Sequence, residues 1–331
     1  MIISPTDNRI TWQGAVSIMN NEDWSMPWRI PYDEKELFPP EALSGFAAMP
    51  AGVRITFLST ARELMIYVKA TNEDGLVDLY VNGVFHNSMD LKGHGEIGFR
   101  NLPSGKKLLE LWLPHFAEFR LISIGLNETA TIEKYEESRP KWITYGSSIT
   151  HCRAAESPSR TWPAIVARNH GLDLSCLGFA GNCHLEPMVA RLIRDMPAEF
   201  ISIKIGINIQ TKDSMNLRTL MPYIVGFVKL IREKHRLTPF AVISPIHAPG
   251  REKTPNSAGL TLEIIREEIK TAVTLLQSQG DTNLHYVNGL QLFGPEKAHL
   301  LPDRLHPNAE GYKLLAENFS SHVAAPIFGL I

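Results

Sequence analysis

The sequence lacks most of the features that would place a chain in a special class. It has only three cysteines in 331 residues, Cys152, Cys176 and Cys183. An odd, small number in so long a chain argues against a disulfide framework and suits reduced thiols. Neither sign of charge is in excess: 33 Lys and Arg stand against 35 Asp and Glu, a formal net charge of −2. Without a basic run there is no electrostatic footprint for nucleic acid, and no anionic patch to attract a polycation. No apolar run approaches the ~20 residues of a membrane span. The start, Met1-Ile2-Ile3-Ser4-Pro5-Thr6-Asp7-Asn8, lacks the basic and apolar segments of a secretion signal. A cytoplasmic protein acting on a small, weakly charged molecule is expected, with neither nucleic acid nor membrane as partner.

What is present is ordinary globular composition, 44% hydrophobic and 21% charged, in a chain long enough for two cores. The chain changes character once. From Ile10 to about Ile132, short β-type runs follow one another: Val53 to Leu58, Leu64 to Lys69, Val77 to Val81, Lys107 to Leu113 and Phe119 to Ile124. With the hairpin signal Asn82-Gly83 they predict an antiparallel β-sandwich, jelly-roll-like, over residues 1–138. Its tryptophans, Trp12, Trp24, Trp28 and Trp112, are read as packing residues rather than a sugar platform. The polar stretch Glu133 to Pro140 marks the boundary.

Residues 139–331 alternate strand and helix patterns. Strands are expected at Trp142–Tyr145, Leu172–Leu177, Phe200–Ile205, Pro239–Ile246 and Leu284–Val287. Helices are expected at Arg160–His170, Glu186–Asp195, Leu217–His235, Leu260–Gln279 and Ala309–Phe319. This is the pattern of an α/β/α doubly wound, flavodoxin-like domain with a five-stranded parallel sheet. Such sheets gather their sites at the carboxyl ends of the strands. The first strand ends at Gly146-Ser147-Ser148, the second leads to Gly181, the third to Gly206-Ile207-Asn208, and the last region contains Asp303-Arg304-Leu305-His306. Each of these residues has a plainer reading: Ser148 as a helix cap, Gly181 as a turn glycine, Asn208 as a loop hydrogen-bonder, Asp303 as a cap. Their arrangement at successive strand ends favours one site.

The four blocks, in order and spacing, resemble the SGNH hydrolase family, also called GDSL esterases and lipases. The branch resembled carries an N-terminal β-sandwich and a Gly-Ser-Ser motif, with Ser147 and Ile209 where the commoner pattern has aspartates. The resemblance implies Ser148 as nucleophile, His306 as base and Asp303 as its orienting acid. It also implies an oxyanion hole of the Ser148 and Gly181 backbone N–H groups with the Asn208 side-chain amide. No cofactor is implied. His151, Cys152, Cys183 and His184 lack the spacing of metal ligands, so no metal is expected. His299 is read as a loop histidine, and the stretch His247 to Gly259 as a substrate lid.

The expected function is hydrolysis of a short acyl ester, acetyl first among them, of a small molecule or sugar through an acyl-enzyme. An acyltransferase using the same triad with an acceptor alcohol is the alternative, and a non-catalytic carbohydrate-binding protein the second.

Overall fold

Twelve short strands precede Lys141 among residues 1–330, which a computed structural model of the chain describes. They are β1 (Ile2–Ile3), β2 (Thr11–Gln13), β3 (Ser17–Asn20), β4 (Ser25–Trp28), β5 (Arg54–Ser59), β6 (Leu64–Val68), β7 (Leu76–Val81), β8 (Val84–Asp90), β9 (Glu96–Phe99), β10 (Lys107–Trp112), β11 (Leu121–Leu126) and β12 (Ile132–Glu133). One helix, α1 (Glu41–Ala47), lies between β4 and β5. The strands form two six-stranded sheets. One has the order β3-β4-β11-β6-β9 with β1 added on β11; the other has β12-β5-β10-β7-β8 with β2 added on β5. Asn82 and Gly83 take positive φ, 50° and 78°, which lets two residues join β7 to β8.

The alternation in β6 turns Leu64, Ile66 and Val68 into the core, where they meet Ile55, Phe57, Leu79 and Leu109 of the other sheet. β5 departs from its alternating sequence, because its polar members Arg54 and Thr56 are buried as well. Arg54 is held there by partners: Asp173 at 2.5 Å, the carbonyls of Gly52 and Leu174, and the face of Trp112. The other tryptophans also pack, Trp12 on Phe119 and Trp28 on Tyr32, while Trp24 lies under Arg120.

The chain divides into two compact units. The first comprises Met1–Arg139 with Glu156–Ala164 and Asp173–Cys176; the second comprises Pro140–Ala155, Ile165–Leu172 and the chain from Leu177 onward. Within the first unit the buried carboxylate of Asp78 accepts from the Ser157 hydroxyl at 2.5 Å, the Ser159 hydroxyl at 2.6 Å and the Ser159 N–H at 2.9 Å.

The remaining strands are β13 (Lys141–Gly146), β14 (Asp173–Gly178), β15 (Phe200–Lys204), β16 (Phe240–Ile243) and β17 (Leu284–Val287), in the spatial order β14-β13-β15-β16-β17. That is the 2-1-3-4-5 order of flavodoxin-like sheets, whose chain direction switches between the first and third strands. The helices are α2 (Ser148–His151), α3 (Trp162–Asn169), α4 (Pro187–Asp195), α5 (Ile207–Thr211), α6 (Leu217–Arg232), α7 (Leu262–Ser278), α8 (Gly289–Leu292) and α9 (Ala309–Phe319). Trp142 packs on Phe319 of α9 and Tyr145 on Phe227 of α6, at ring separations of 5.1 and 5.3 Å. Three residues apart on one strand, they point to opposite faces, so helices cover both sides of the sheet.

Four expected helices are shortened: α4 starts at Pro187, α7 runs only from Leu262 to Ser278, and α3 and α6 show why. The stretch from Arg160 begins as a 3-10 turn, Pro158–Arg160, with α3 starting only at Trp162; Pro163 is tolerated in a first turn but not deeper. The helix expected to reach His235 stops at Arg232, whose guanidinium binds the carbonyls of His235 and Thr238. No helix among the described residues is long and apolar enough to cross a membrane.

Candidate active site

β13 ends at Gly146 and α2 begins at Ser148, with almost no space between strand ends and helix. A Cβ on Gly146 would stand 2.2 Å from Thr150 Oγ1, and one on Gly178, at the end of β14, 2.4 Å from the His151 nitrogen. Glycine at both positions lets α2 rest directly on the strands. The cap reading weighed for Ser148 belongs to its neighbour: Ser147 is extended and its Oγ accepts the Ile149 N–H at 3.3 Å. The Ser148 hydroxyl is thereby left to face His306, with Oγ 2.7 Å from Nε2.

Asp303 and His306 are presented by one turn. Asp303 Oδ1 accepts the backbone N–H groups of Leu305 at 3.0 Å and His306 at 2.7 Å, while Oδ2 lies 2.6 Å from His306 Nδ1. A carboxylate only accepts, so Nδ1 carries the proton and Nε2 offers its lone pair to the Ser148 hydroxyl. Partial burial pushes the Asp303 carboxyl upward, but the His306 hydrogen bonds outweigh it and hold the group below the usual aspartate range.

The second and third blocks also meet. Asn208, in α5, accepts the Cys183 N–H on Oδ1 at 3.2 Å. A backbone N–H binds only the oxygen end of an amide, so this contact sets the orientation and turns Nδ2 away from Cys183. Gly206, at the start of that turn, has φ 110°, and a Cβ there would come within 2.7 Å of Ile265 and Pro245 atoms. Gly181 has φ 70° with open space where a Cβ would stand, so backbone conformation, not crowding within the chain, is the reason for glycine. Its N–H has no acceptor among the described residues, and Ser148, first in α2, has none within its helix.

Sequence reasoning missed the bracing of the Gly181 loop. The Tyr145 hydroxyl donates to Glu186 Oε2 and accepts the Leu185 N–H, while Glu186 Oε1 accepts the His184 N–H. His184 then bridges the Gly181 carbonyl at 3.0 Å and Ser214 Oγ at 2.7 Å. Burial pushes the Glu186 carboxyl up and the Tyr145 hydroxyl well up. Sequence offered little signal, since Tyr145 reads as a core strand residue and Glu186 as a helix start.

The stretch His247–Gly259, expected as a lid, is tethered by polar contacts. Glu252 holds Arg266 at 2.7 Å, His247 at 3.1 Å and the Ala248 N–H; farther along, Asn256 binds the Gln210 carbonyl and Ser257 binds Asp213. Polar side chains anchor it on α7 and beside α5. His299 is exposed on a 3-10 turn. Among the described residues no three His, Cys, Asp or Glu side chains are grouped as metal ligands.

Comparison with known proteins gives these residues a lineage. The chain matches the model of the SsfX3 N-terminal domain over residues 10–122 and that of the GDSL-like lipase/acylhydrolase family over residues 140–324. Among solved structures it resembles the salicylyl-acyltransferase SsfX3 from a tetracycline biosynthetic pathway, with 38% identity over 98% of this chain and 97% of that one and a TM-score of 0.92. A GDSL-like lipase from Bacteroides ovatus shares the fold at 21% identity, covering 100% and 98% of the chains, TM-score 0.80. So does a family two carbohydrate esterase from Cellvibrio japonicus at 13% identity, covering 99% and 98%, TM-score 0.71. No significant match was found among curated protein sequences. On the family match and the likeness to SsfX3, the chain belongs to the GDSL-like lipase/acylhydrolase family, whose relatives here are esterases and acyltransferases.

Proposed function

We propose that this enzyme cleaves a short-chain acyl ester through a covalent intermediate on Ser148, within a catalytic domain spanning residues 139–331. The observation that carries the reading is the continuous hydrogen-bonded line from Ser148 Oγ to His306 Nε2 and from His306 Nδ1 to Asp303, at 2.7 and 2.6 Å. Ser148 Oγ bonds to the carbonyl carbon as His306 takes its proton. The carbonyl oxygen, now negative, is received by the Ser148 and Gly181 N–H groups and the Asn208 amide. Collapse breaks the bond to the alkoxide, which leaves with the proton held by His306. Water, deprotonated by the same histidine, then releases the acid and frees Ser148.

A second reading is favoured by the 38% identity to an acyltransferase over nearly the whole chain. In it an acceptor alcohol replaces water and the acyl group passes to a new ester. Both readings share every residue named, and differ in how well water is kept from the acyl-enzyme.

The test is intact mass after exposure to a fluorophosphonate, comparing wild type with Ser148→Ala and His306→Ala. One adduct on wild type, absent from Ser148→Ala and greatly slowed in His306→Ala, is expected. An undiminished adduct on Ser148→Ala overturns the assignment. Products formed with and without an added alcohol then separate transfer from hydrolysis.

A further inference from the structure

Among the described residues the buried cations have acceptors, with one exception. Arg54 meets Asp173, Arg232 meets Asp281, Arg266 meets Glu252, Arg29 donates to the carbonyls of Met49, Cys176 and Phe46, and Lys107 donates to that of Gly105. Lys204 is 3% exposed, and its ammonium, which keeps slight contact with solvent, makes no hydrogen bond and no ion pair among the described residues. The ionisable groups that act on it are the thiols of Cys152 and Cys183. Beyond Cys183 stand Tyr145 and Glu186, and beyond Cys152 stands Tyr312. Burial raises the Cys183 thiol, so it supplies no anion. An unpaired buried charge is costly to a fold, and groups held so are concentrated at functional sites.

Its position is specific. Lys204 ends β15 in register with Gly146, which ends β13 two residues before Ser148. Registered residues on parallel neighbours point to the same face, and the Cβ position of Gly146 faces Thr150 of α2. The Lys204 side chain therefore leaves the sheet on the side of the helix that carries Ser148. The thiols acting on it belong to the residue that ends α2 and to the loop after Gly181, whose Cys183 N–H orients Asn208.

We propose that Lys204 supplies a buried positive charge that stabilises the oxyanion formed when Ser148 attacks an ester, without touching the substrate. This rests on the reading of Ser148 as nucleophile. In a low-dielectric surrounding such a charge acts over several ångströms, and it is already in place when the oxyanion develops. The absence of a carboxylate partner serves this role, since a paired cation would have its field cancelled. Burial lowers the ammonium to about 8, so the charge is present at neutral pH and lost above it.

The test compares wild type with Lys204→Met and Lys204→Arg by thermal unfolding and by kcat and KM on an aryl acetate from pH 6 to 10. Lys204→Met is expected to melt at or above the wild-type temperature and to lose on the order of tenfold in kcat at pH 7, with KM little changed, because one charge at a distance does less than a direct donor. Lys204→Arg should recover part of the loss. Wild-type kcat should fall above about pH 8, and Lys204→Met should lack that alkaline limb. A Lys204→Met protein with wild-type kcat overturns the proposal, as does one that fails to fold, since the lysine would then serve stability. A flat wild-type profile between pH 7 and 9.5 also overturns it. Fluorophosphonate labelling of Ser148 in the same samples shows whether the nucleophile reading stands independently.

Discussion

The first unit and the carboxyl edge of the parallel sheet handle polar side chains in opposite ways. In the first unit, Arg54 is ringed by a carboxylate, two carbonyls and an indole face, and Asp78 takes three donors on one oxygen. These groups direct most of their bonding inside the protein, although Arg54 Nε and Asp78 Oδ1 are buried without a hydrogen-bond partner. At the sheet edge, the Asp303 side chain is 54% exposed, the Gly181 N–H has no acceptor among the described residues, and Lys204 is buried without a partner. A group engaged by several partners steadies the chain; one with few keeps its capacity for something that arrives later. The two regions should therefore respond differently to substitution.

The sharpest separation is expected from His306→Ala. It should lower kcat at least ~10³-fold while leaving the urea midpoint near wild type, because the side chain is partly exposed and holds few groups in place. A large fall in midpoint would show that the site also carries the fold. Asn208→Ala should follow, with a ~10²–10³-fold loss in kcat and little change in KM, measured by steady-state kinetics on an aryl acetate. An equal rise in KM would mean that the amide binds ground state and transition state alike.

The opposite pole is Asp173→Asn. It leaves the buried Arg54 without its charged partner and should cost about 3 kcal/mol in urea unfolding, with kcat within about twofold of wild type in the folded protein. Tyr145→Phe should fall between the poles. It orphans the Leu185 N–H and removes a donor to Glu186, costing ~1–3 kcal/mol, and by loosening the Gly181 loop should reduce kcat less than Asn208→Ala does.

The smallest expected effect concerns acid. The Asp303 carboxyl is held below its ordinary value in the folded chain, so it contributes stability above the ordinary aspartate range that disappears as pH falls through its folded value. Asp303→Asn should thus narrow slightly the gap between urea midpoints at pH 7 and pH 3. An unchanged gap would show that the turn hydrogen bonds do not favour the charged form.

Much of this was open to sequence reasoning, and the exceptions have physical causes. β17 and α9 keep their expected ends because turn chemistry bounds them: Asn283 precedes the strand, and Asn308 caps the helix. The helices α2, α5 and α8 were not foreseen, since 4 or 5 residues are too few for a 3.6-residue period to show. Arg54 reads as the polar half of a half-buried strand, and nothing near it in sequence reveals Asp173. The loop from His247 reads as a lid because it has no periodicity, yet Glu252 and Arg266 pin it through contacts that composition does not disclose.

By itself the sequence determined the succession of sandwich and alternating strands and helices, because residue periodicity and turn residues act locally. It also determined which residue types stand where strands end: glycine, serine, asparagine and histidine, types whose backbone freedom and polar side chains few others share. The tertiary structure decided which of two adjacent serines caps α2 and which faces His306, how Asn208 is oriented, and that Lys204 remains without an acceptor. Those outcomes depend on distances between groups 25 to 158 residues apart, and only the folded chain sets them.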